Sequence, residues 1–141
     1  MPKPTILFFC EDVDFKLKTS KKTISWIKDS IENEGKEPGE LNFIFCSDNH
    51  LLQMNQDYLK HNTFTDIITF DTSEEKGLIS GDIFISIDRV KDNALKFKKE
   101  LDNELHRVII HGVLHLIGYS DKTANKKSIM RGKEDAYLSL R

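Results

Sequence analysis

Several features are scarce in this chain, and each scarcity excludes a class of protein. The 141 residues contain only two cysteines, Cys10 and Cys46, which lie far apart and form no CxxC pair. A disulfide-rich scaffold and a cysteine-ligated zinc site are therefore excluded, and we expect both thiols to be reduced core residues. The apolar run from Thr5 to Cys10 is too short for a signal peptide or a membrane span. We therefore expect a cytoplasmic chain without a membrane anchor.

The chain also lacks an excess of positive charge. Its 21 basic and 23 acidic residues give a net charge of -2, whereas proteins that attract nucleic acid through their overall field are strongly basic. Any contact with RNA must then come from a local basic patch. The candidates for such a patch are Lys60, Arg89, Lys91, Lys96, Lys98, Lys99, Lys122, Lys126, Lys127, Arg131 and Lys133.

No internal repeat or Pro/Gly/Ser-rich linker divides the sequence, so we predict that residues 1–141 form one domain. Strands are predicted at residues 5–10, 41–45, 66–72 and 78–87, and the last two pair as a hairpin. Three helices are predicted to begin at caps, which are Ser20, the run Ser47-Asp48-Asn49, and Asp88. Another is predicted from about 102 to 117, and a last one toward 140. This pattern favours an α+β fold with an about four-stranded mixed sheet packed against helices.

The aromatic residues fit core positions better than base-stacking positions in this pattern. Trp26 lies on the apolar face of the first predicted helix. Phe97 lies with Val90 and Ala94 on the apolar face of the helix that begins at Asp88. We therefore expect Trp26 and the phenylalanines to be buried.

The segment from Glu104 to Asp121 is the only dense cluster of metal-ligating residue types in the sequence. At about 100° per residue, His111 and His115 lie roughly 40° apart on a helix and can share one ion. Gly118 would end that helix in a left-handed C-cap, which turns the chain back and makes Asp121 a third ligand. A bare HxxxH pair is more often two hydrogen-bonded side chains, but Gly118 and Asp121 favour a metal site borne by this helix.

Two charged residues share the helix stripe of these histidines. Glu104 lies two turns before His111 and is a candidate either for catalysis or for orienting a ligand. Arg107 lies one turn before His111, where it can contact a phosphate or pair with Glu104; the salt bridge is the favoured interpretation.

The ligand spacing matches that of the metzincin peptidases, HExxHxxGxxH, with two changes. Gly112 stands in place of the glutamate, and Asp121 in place of the last histidine. In those enzymes the glutamate is the general base, and glycine cannot transfer a proton. A metallopeptidase is therefore disfavoured, although it stays open as a third possibility.

With these residues in view, the sequence resembles the YbeY family of bacterial endoribonucleases and ribosomal RNA maturation factors. Residues 111–119, HGVLHLIGY, are similar to the family signature HGxLHLxGYDH. Met54-Asn55 with Tyr58, residues 65–70 (TDIITF) and residues 81–83 (GDI) resemble further family motifs in the same order. The resemblance covers roughly residues 40 to 141.

The resemblance implies a cytoplasmic, single-strand-specific, metal-dependent endoribonuclease of α+β fold. It places the three metal ligands on His111, His115 and Asp121, with zinc as the usual ion and His115 in the catalytic site. It implies a role in 16S rRNA 3′-end maturation and ribosome quality control, with ribosomal RNA and the small ribosomal subunit as partners. The oligomeric state stays unknown.

The sequence departs from the family pattern at two positions that bear on activity. Asp121 replaces a histidine, which favours iron or manganese more than the usual set does. Leu59 replaces an arginine expected to contact phosphate, and Lys60 and His61 next to it are the candidates to supply that cation. A metal-stabilised ribosome-binding or RNA-binding factor with little cleavage activity is therefore the main alternative.

Overall fold

Four strands form one mixed sheet in a computed structural model that describes residues 4–59 and 65–141. The strands are β1 (Thr5–Cys10), β2 (Glu37–Cys46), β3 (Ile67–Asp71) and β4 (Leu78–Ser86), in the order β1-β2-β4-β3. β1 and β4 run parallel to β2, whereas β3 pairs antiparallel to β4 as the predicted hairpin. The predicted α+β fold with a four-stranded mixed sheet is confirmed.

Five helices complete the described part of the chain: α1 (Ser20–Asn33), α2 (Asp48–Leu59), α3 (Ile87–Lys96), α4 (Leu101–Ile117) and α5 (Ala124–Leu138). The predicted helices are confirmed, but two of the predicted caps are wrong. Thr19 precedes α1, and Ser20 is already helical. Ser86 caps α3 by accepting the N–H of Arg89, because β4 continues directly into the helix. Asp88 instead lies in the first turn and accepts the N–H of Asp48 at 2.9 Å.

The first strand is less buried than its apolar sequence predicts. β1 is an edge strand, with a neighbour on one side only. Leu7 and Phe9 are exposed, and so is Cys10, whereas Cys46 on the central strand β2 is buried. The prediction of two core cysteines is therefore wrong for Cys10 and confirmed for Cys46.

Helix α4 packs against the core and carries His111 and His115 on its polar stripe. Its apolar side is buried through Leu105, Ile109 and Val113. Gly112 packs directly on the sheet, because a Cβ atom there would lie 2.7 Å from Ile67 Cδ1. This burial leaves the opposite stripe of α4 facing a cleft beside α5. No helix in residues 4–59 and 65–141 has both the length and the apolar character needed to cross a membrane.

Candidate metal centre

Three metal-ligating side chains converge at the C-terminal half of α4. His111 and His115 bring their Nε2 atoms to 2.9 Å from each other. Oδ2 of Asp121 lies 3.5 Å from each of these nitrogens. One donor atom from each residue therefore lies within 4.8 Å of the others. The structure brings together the three residues that the sequence pattern placed as ligands.

The turn after α4 returns the chain toward the histidines. Gly118 has a φ of 127°, in the left-handed region that favours glycine. The N–H groups of Gly118 and Tyr119 both donate to the carbonyl of Leu114, at 3.1 and 3.0 Å. These bonds satisfy carbonyls left open at the helix end. The predicted glycine C-cap is confirmed, and Asp121 follows it three residues later.

Tyr119 is held in this turn by Glu34 at the end of α1. The Tyr119 hydroxyl donates to Oε1 of Glu34 at 2.6 Å. The Tyr137 hydroxyl and Nζ of Lys133 donate to Oε2 of the same carboxylate. Burial alone would raise the pKa of Glu34, but these three donors outweigh burial and lower it. A charged Glu34 thus fixes the residue next to Gly118.

Glu134 of α5 orients the first histidine. Its side chain is only 5% exposed, and its Oε2 accepts a hydrogen bond from Nδ1 of His111 at 2.6 Å. Its other oxygen accepts from the Arg107 guanidinium at 2.9 Å. A carboxylate on Nδ1 leaves the lone pair of Nε2 facing the cleft, as in many metal-ligating histidines. Sequence reasoning missed Glu134, because it lies 23 residues from His111 on another helix.

The two histidines are in different electrostatic states. Burial by itself lowers the pKa of His111, but the hydrogen bond and charge of Glu134 outweigh it, so the pKa lies above 6.5. Burial, followed by the neighbouring His111, lowers the pKa of His115 below 6.5. His115 therefore offers a neutral ring near pH 7. A metal ion that binds here must displace the proton of His111 Nε2, so affinity should rise with pH.

Two of the three donors, His111 and Asp121, line a cleft of about 470 Å³ between α4, α5 and the end of α3. Asp66 and Glu104 contribute two further carboxyl groups to its wall. Burial raises the pKa of both acids. The wall of the cleft is therefore rich in acidic groups, which favours a cation over a phosphate.

The model of the family described as "Endoribonuclease YbeY" matches residues 8–140 of this sequence. This chain belongs to the YbeY family. The match confirms the resemblance and extends it upstream of residue 40.

Two relatives support this assignment to the YbeY family, and one solved structure shares the fold. An "Endoribonuclease YbeY" of Cytophaga hutchinsonii is 55% identical over 141 residues, which are 100% of this chain and 99% of the relative. Another from Amoebophilus asiaticus is 48% identical over 138 residues, covering 98% and 94% of the two chains. A solution structure of a Thermotoga maritima protein is similar with a TM-score of 0.67, at 27% identity, and covers 96% of this chain and 87% of that one.

The donor set in this member of the YbeY family fits one divalent ion. Two imidazoles and one carboxylate form a three-ligand set that zinc, iron and manganese accept, with a position left for water. The three donor atoms converge, and the buried Glu134 carboxylate accepts a hydrogen bond from His111 on the side away from the cluster. The residues present therefore suit a metal, and they do not select among these three ions.

Two other residues predicted for the site, Glu104 and Arg107, do not make the side-chain contacts that the sequence predicted. Glu104 lies in the cleft wall, and within the described residues it makes no hydrogen bond to either histidine. The predicted pairing of Arg107 with Glu104 is wrong: Arg107 contacts Glu134 at 2.9 Å and Asp135 at 2.5 Å. The packing of α5 brings this pair of carboxylates to the guanidinium. Lys60 and His61 lie outside the described residues.

Replacing Glu134 by glutamine should weaken metal binding about 10- to 100-fold, the usual cost of removing a partner of a ligating histidine. The amide keeps the shape of the side chain but removes the charge that holds His111. The measurement is a zinc competition titration with a chromophoric chelator. Asp135→Asn is the matched control, since it also removes a carboxylate from Arg107 without touching His111. Equal affinities of wild type and Glu134→Gln would contradict the orienting role.

The same substitution tests the charge state of His111 in the metal-free protein. The pKa of His111 in the folded protein lies above its ordinary value of 6.5. Its pairing with Glu134 therefore stabilises the fold fully at any pH below the pKa that His111 has in the unfolded chain. That stabilisation is lost as the pH rises through the raised pKa. Glu134→Gln should therefore reduce the free energy of unfolding more at pH 5.5 than at pH 8.5. A loss that is larger at the higher pH would contradict this account.

Proposed function

We propose that this chain is a cytoplasmic, single-strand-specific, metal-dependent endoribonuclease that acts in 16S rRNA 3′-end maturation and ribosome quality control. The observation that carries the proposal is the convergence of the donor atoms of His111, His115 and Asp121, with the buried Glu134 carboxylate hydrogen-bonded to His111. Membership of a family described as "Endoribonuclease YbeY" supports RNA as the substrate. The partners would be ribosomal RNA and the small ribosomal subunit, and residues 1–141 would act as one domain.

In this proposal each residue of the centre has a distinct task. His111, His115 and Asp121 would hold one divalent ion, and zinc is the ion that the family resemblance implies. When bound, such an ion supplies Lewis-acid chemistry, because it withdraws electrons from a phosphoryl oxygen and makes water more acidic. Glu134 keeps the Nε2 lone pair of His111 directed into the cleft. Glu34 and Tyr119 hold the turn that presents Asp121.

Glu104 is the candidate for proton transfer in the proposed reaction. Its carboxyl group lies in the wall of the same cleft as His111. Burial raises its pKa, which brings its protonated form closer to neutral pH. A carboxyl group in that state can give a proton to a leaving oxygen or take one from water.

An RNA-binding maturation factor with little cleavage activity is the second candidate. The sequence departures favour it, since Leu59 replaces the expected arginine and Asp121 replaces a histidine. In the structure Arg107 is already paired with Glu134 and Asp135, so it contacts phosphate only if those pairs open. The two candidates differ in one measurable property, which is metal-dependent scission of RNA.

The decisive experiment measures metal content and cleavage on the same preparation. The protein is purified without a histidine tag, and its metals are counted by mass spectrometry. Cleavage is followed on a single-stranded RNA and on its duplex, before and after EDTA treatment and after reloading with zinc, manganese or iron. We expect about one bound ion per chain and cleavage of the single strand that EDTA abolishes and an ion restores.

Other outcomes favour the alternatives. RNA binding without cleavage under any metal would overturn the nuclease and support the binding factor. Turnover of casein without action on RNA would support a metallopeptidase, which Gly112 opposes because its position faces Ile67 and Ile83 on the sheet rather than the cleft. A protein that neither carries nor accepts a metal would overturn the metal mechanism.

A further inference from the structure

Phe97 stands at the mouth of the metal-site cleft, in contrast to the core position predicted from its helical spacing. It follows the last residue of α3, and 54% of its side chain is exposed. The apolar face of α3 that reaches the core ends one turn earlier, at Ala94. Phe97 instead lines the same cleft as His111 and Asp121.

The backbone around Phe97 is firmly held. Its N–H donates to the carbonyl of Asn93 at 2.9 Å, and the N–H of Lys99 donates to the carbonyl of Ala94 at 2.8 Å. Between them Lys98 adopts a φ of 55°, a left-handed conformation that costs energy for a residue with a side chain. The helix end is thus closed by its own hydrogen bonds, and the ring is presented from an ordered turn.

Charged side chains of both signs line the cleft. The acidic residues Asp66, Glu104 and Glu134 are buried or half-buried. The basic residues Lys127 and Arg131 of α5 are exposed, whereas Arg107 is paired with Glu134 and Asp135. A polyanion would be repelled by the acidic side chains except at a bound cation, and it would be attracted by Lys127 and Arg131.

An exposed phenylalanine is unremarkable by itself, since apolar atoms make up much of any protein surface. Leu95 illustrates the ordinary case: it is 80% exposed near the same helix end and does not line the cleft. Phe97 differs from it by its position, because it shares one cleft with the converging metal ligands and two cations. An aromatic face beside cations is the combination that binds single-stranded nucleic acid.

We propose that Phe97 stacks on one unpaired nucleobase next to the phosphate that is cut, while Lys127 and Arg131 hold neighbouring phosphates. This inference rests on the proposed function, because it takes RNA as the substrate of the cleft. Stacking recognises the face of a base rather than its edges, so the subsite accepts any base but requires it to be unstacked from its neighbours. The subsite thereby gives the centre a physical basis for selecting single strands.

The test compares Phe97→Ala with the matched control Leu95→Ala, which removes a similar exposed apolar side chain outside the cleft. Affinity for a fluorescein-labelled single-stranded RNA is measured by anisotropy in EDTA, so that no cleavage occurs. We expect Phe97→Ala to weaken binding about tenfold, in line with the loss of one base–aromatic stack. Phe97→Trp should bind at least as tightly as wild type, and Leu95→Ala should match wild type. Thermal melts confirm that all variants are folded.

A second arm identifies the contact in the RNA. Single nucleotides are replaced in turn by an abasic unit, and each RNA is titrated with wild type and Phe97→Ala. At one position the abasic substitution should weaken binding to the wild-type protein about tenfold. The same substitution should hardly weaken binding to Phe97→Ala, because the abasic unit and the alanine remove the same stack. Independent, additive losses at every position would overturn the inference.

The remaining outcomes separate this inference from the function on which it rests. Equal binding by wild type and Phe97→Ala, or equal losses in Phe97→Ala and Leu95→Ala, would overturn the stacking subsite and leave the nuclease untouched. If wild type binds no RNA with zinc or with EDTA, the proposed function fails and the subsite fails with it.

Discussion

His115→Ala should abolish metal-dependent RNA cleavage and reduce bound zinc from about one equivalent to background. His115 contributes one of three donors, and Oδ2 of Asp121 lies 3.5 Å from its Nε2. With two ligands the site no longer matches the three-ligand set of catalytic zinc centres. The ring is half-buried and not part of the buried core, so its removal should leave the fold intact. Metal counting and cleavage assays on the same sample measure both effects.

Three companion variants make this prediction specific. His50→Ala removes an imidazole from α2, outside the metal-ligand cluster, and should keep both metal and activity. Asp121→His introduces the third histidine customary in the YbeY family and should still bind zinc, whereas Asp121→Ala should not. If His115→Ala keeps one equivalent of zinc and cuts RNA at the wild-type rate, His115 is not a ligand and the proposed centre is wrong.

Gly112→Glu should destabilise the protein by more than about 4 kcal/mol, which places it among the most damaging single substitutions. This change recreates the glutamate of the HExxH peptidase motif, but the structure directs position 112 toward the sheet. A Cβ atom there would lie 2.7 Å from Ile67 Cδ1 and 3.1 Å from Ile83 Cγ2. The longer side chain would also bury a charge without a partner. Urea denaturation followed by circular dichroism measures the loss.

A graded series separates sterics from charge at this position. Gly112→Ala should lower the free energy of unfolding by about 1–3 kcal/mol through overpacking. The higher helix propensity of alanine should offset about 1 kcal/mol of that loss. Gly132→Glu places the same glutamate on the exposed face of α5, where a Cβ atom meets nothing within 4 Å. That control should change stability by less than about 1 kcal/mol. A stable Gly112→Glu protein with peptidase activity would refute both the packing argument and the exclusion of a metallopeptidase.

The predicted elements agree with the structure where the signal is local. The strong apolar period of residues 102–117 predicts α4 to within a residue of its observed start at Leu101. The hairpin of β3 and β4 is equally clear, because two apolar runs flank one short polar stretch. The caps of α1 and α3 were misassigned by one or two residues, since Ser, Thr and Asp compete for the same role.

Burial was harder to predict than secondary structure. An apolar run such as Thr5–Cys10 has the same sequence pattern at the edge of a sheet as at its centre. Only the strand order reveals that β1 has one neighbour, which leaves Leu7 and Phe9 exposed. Phe97 was assigned to the core for the same reason, because its spacing continues the apolar face of α3 past the point where the helix leaves the core.

The sequence alone indicated the candidate ligand trio and the family. His111, His115, Gly118 and Asp121 lie within one helix and one turn, so local geometry relates their side chains without knowledge of the rest of the chain. Tertiary packing alone decided which groups support that trio. Glu134 reaches His111 from 23 residues away, and Glu34 reaches Tyr119 from 85 residues away. Their contacts depend on where α5 and α1 pack, and no spacing along the chain encodes those positions.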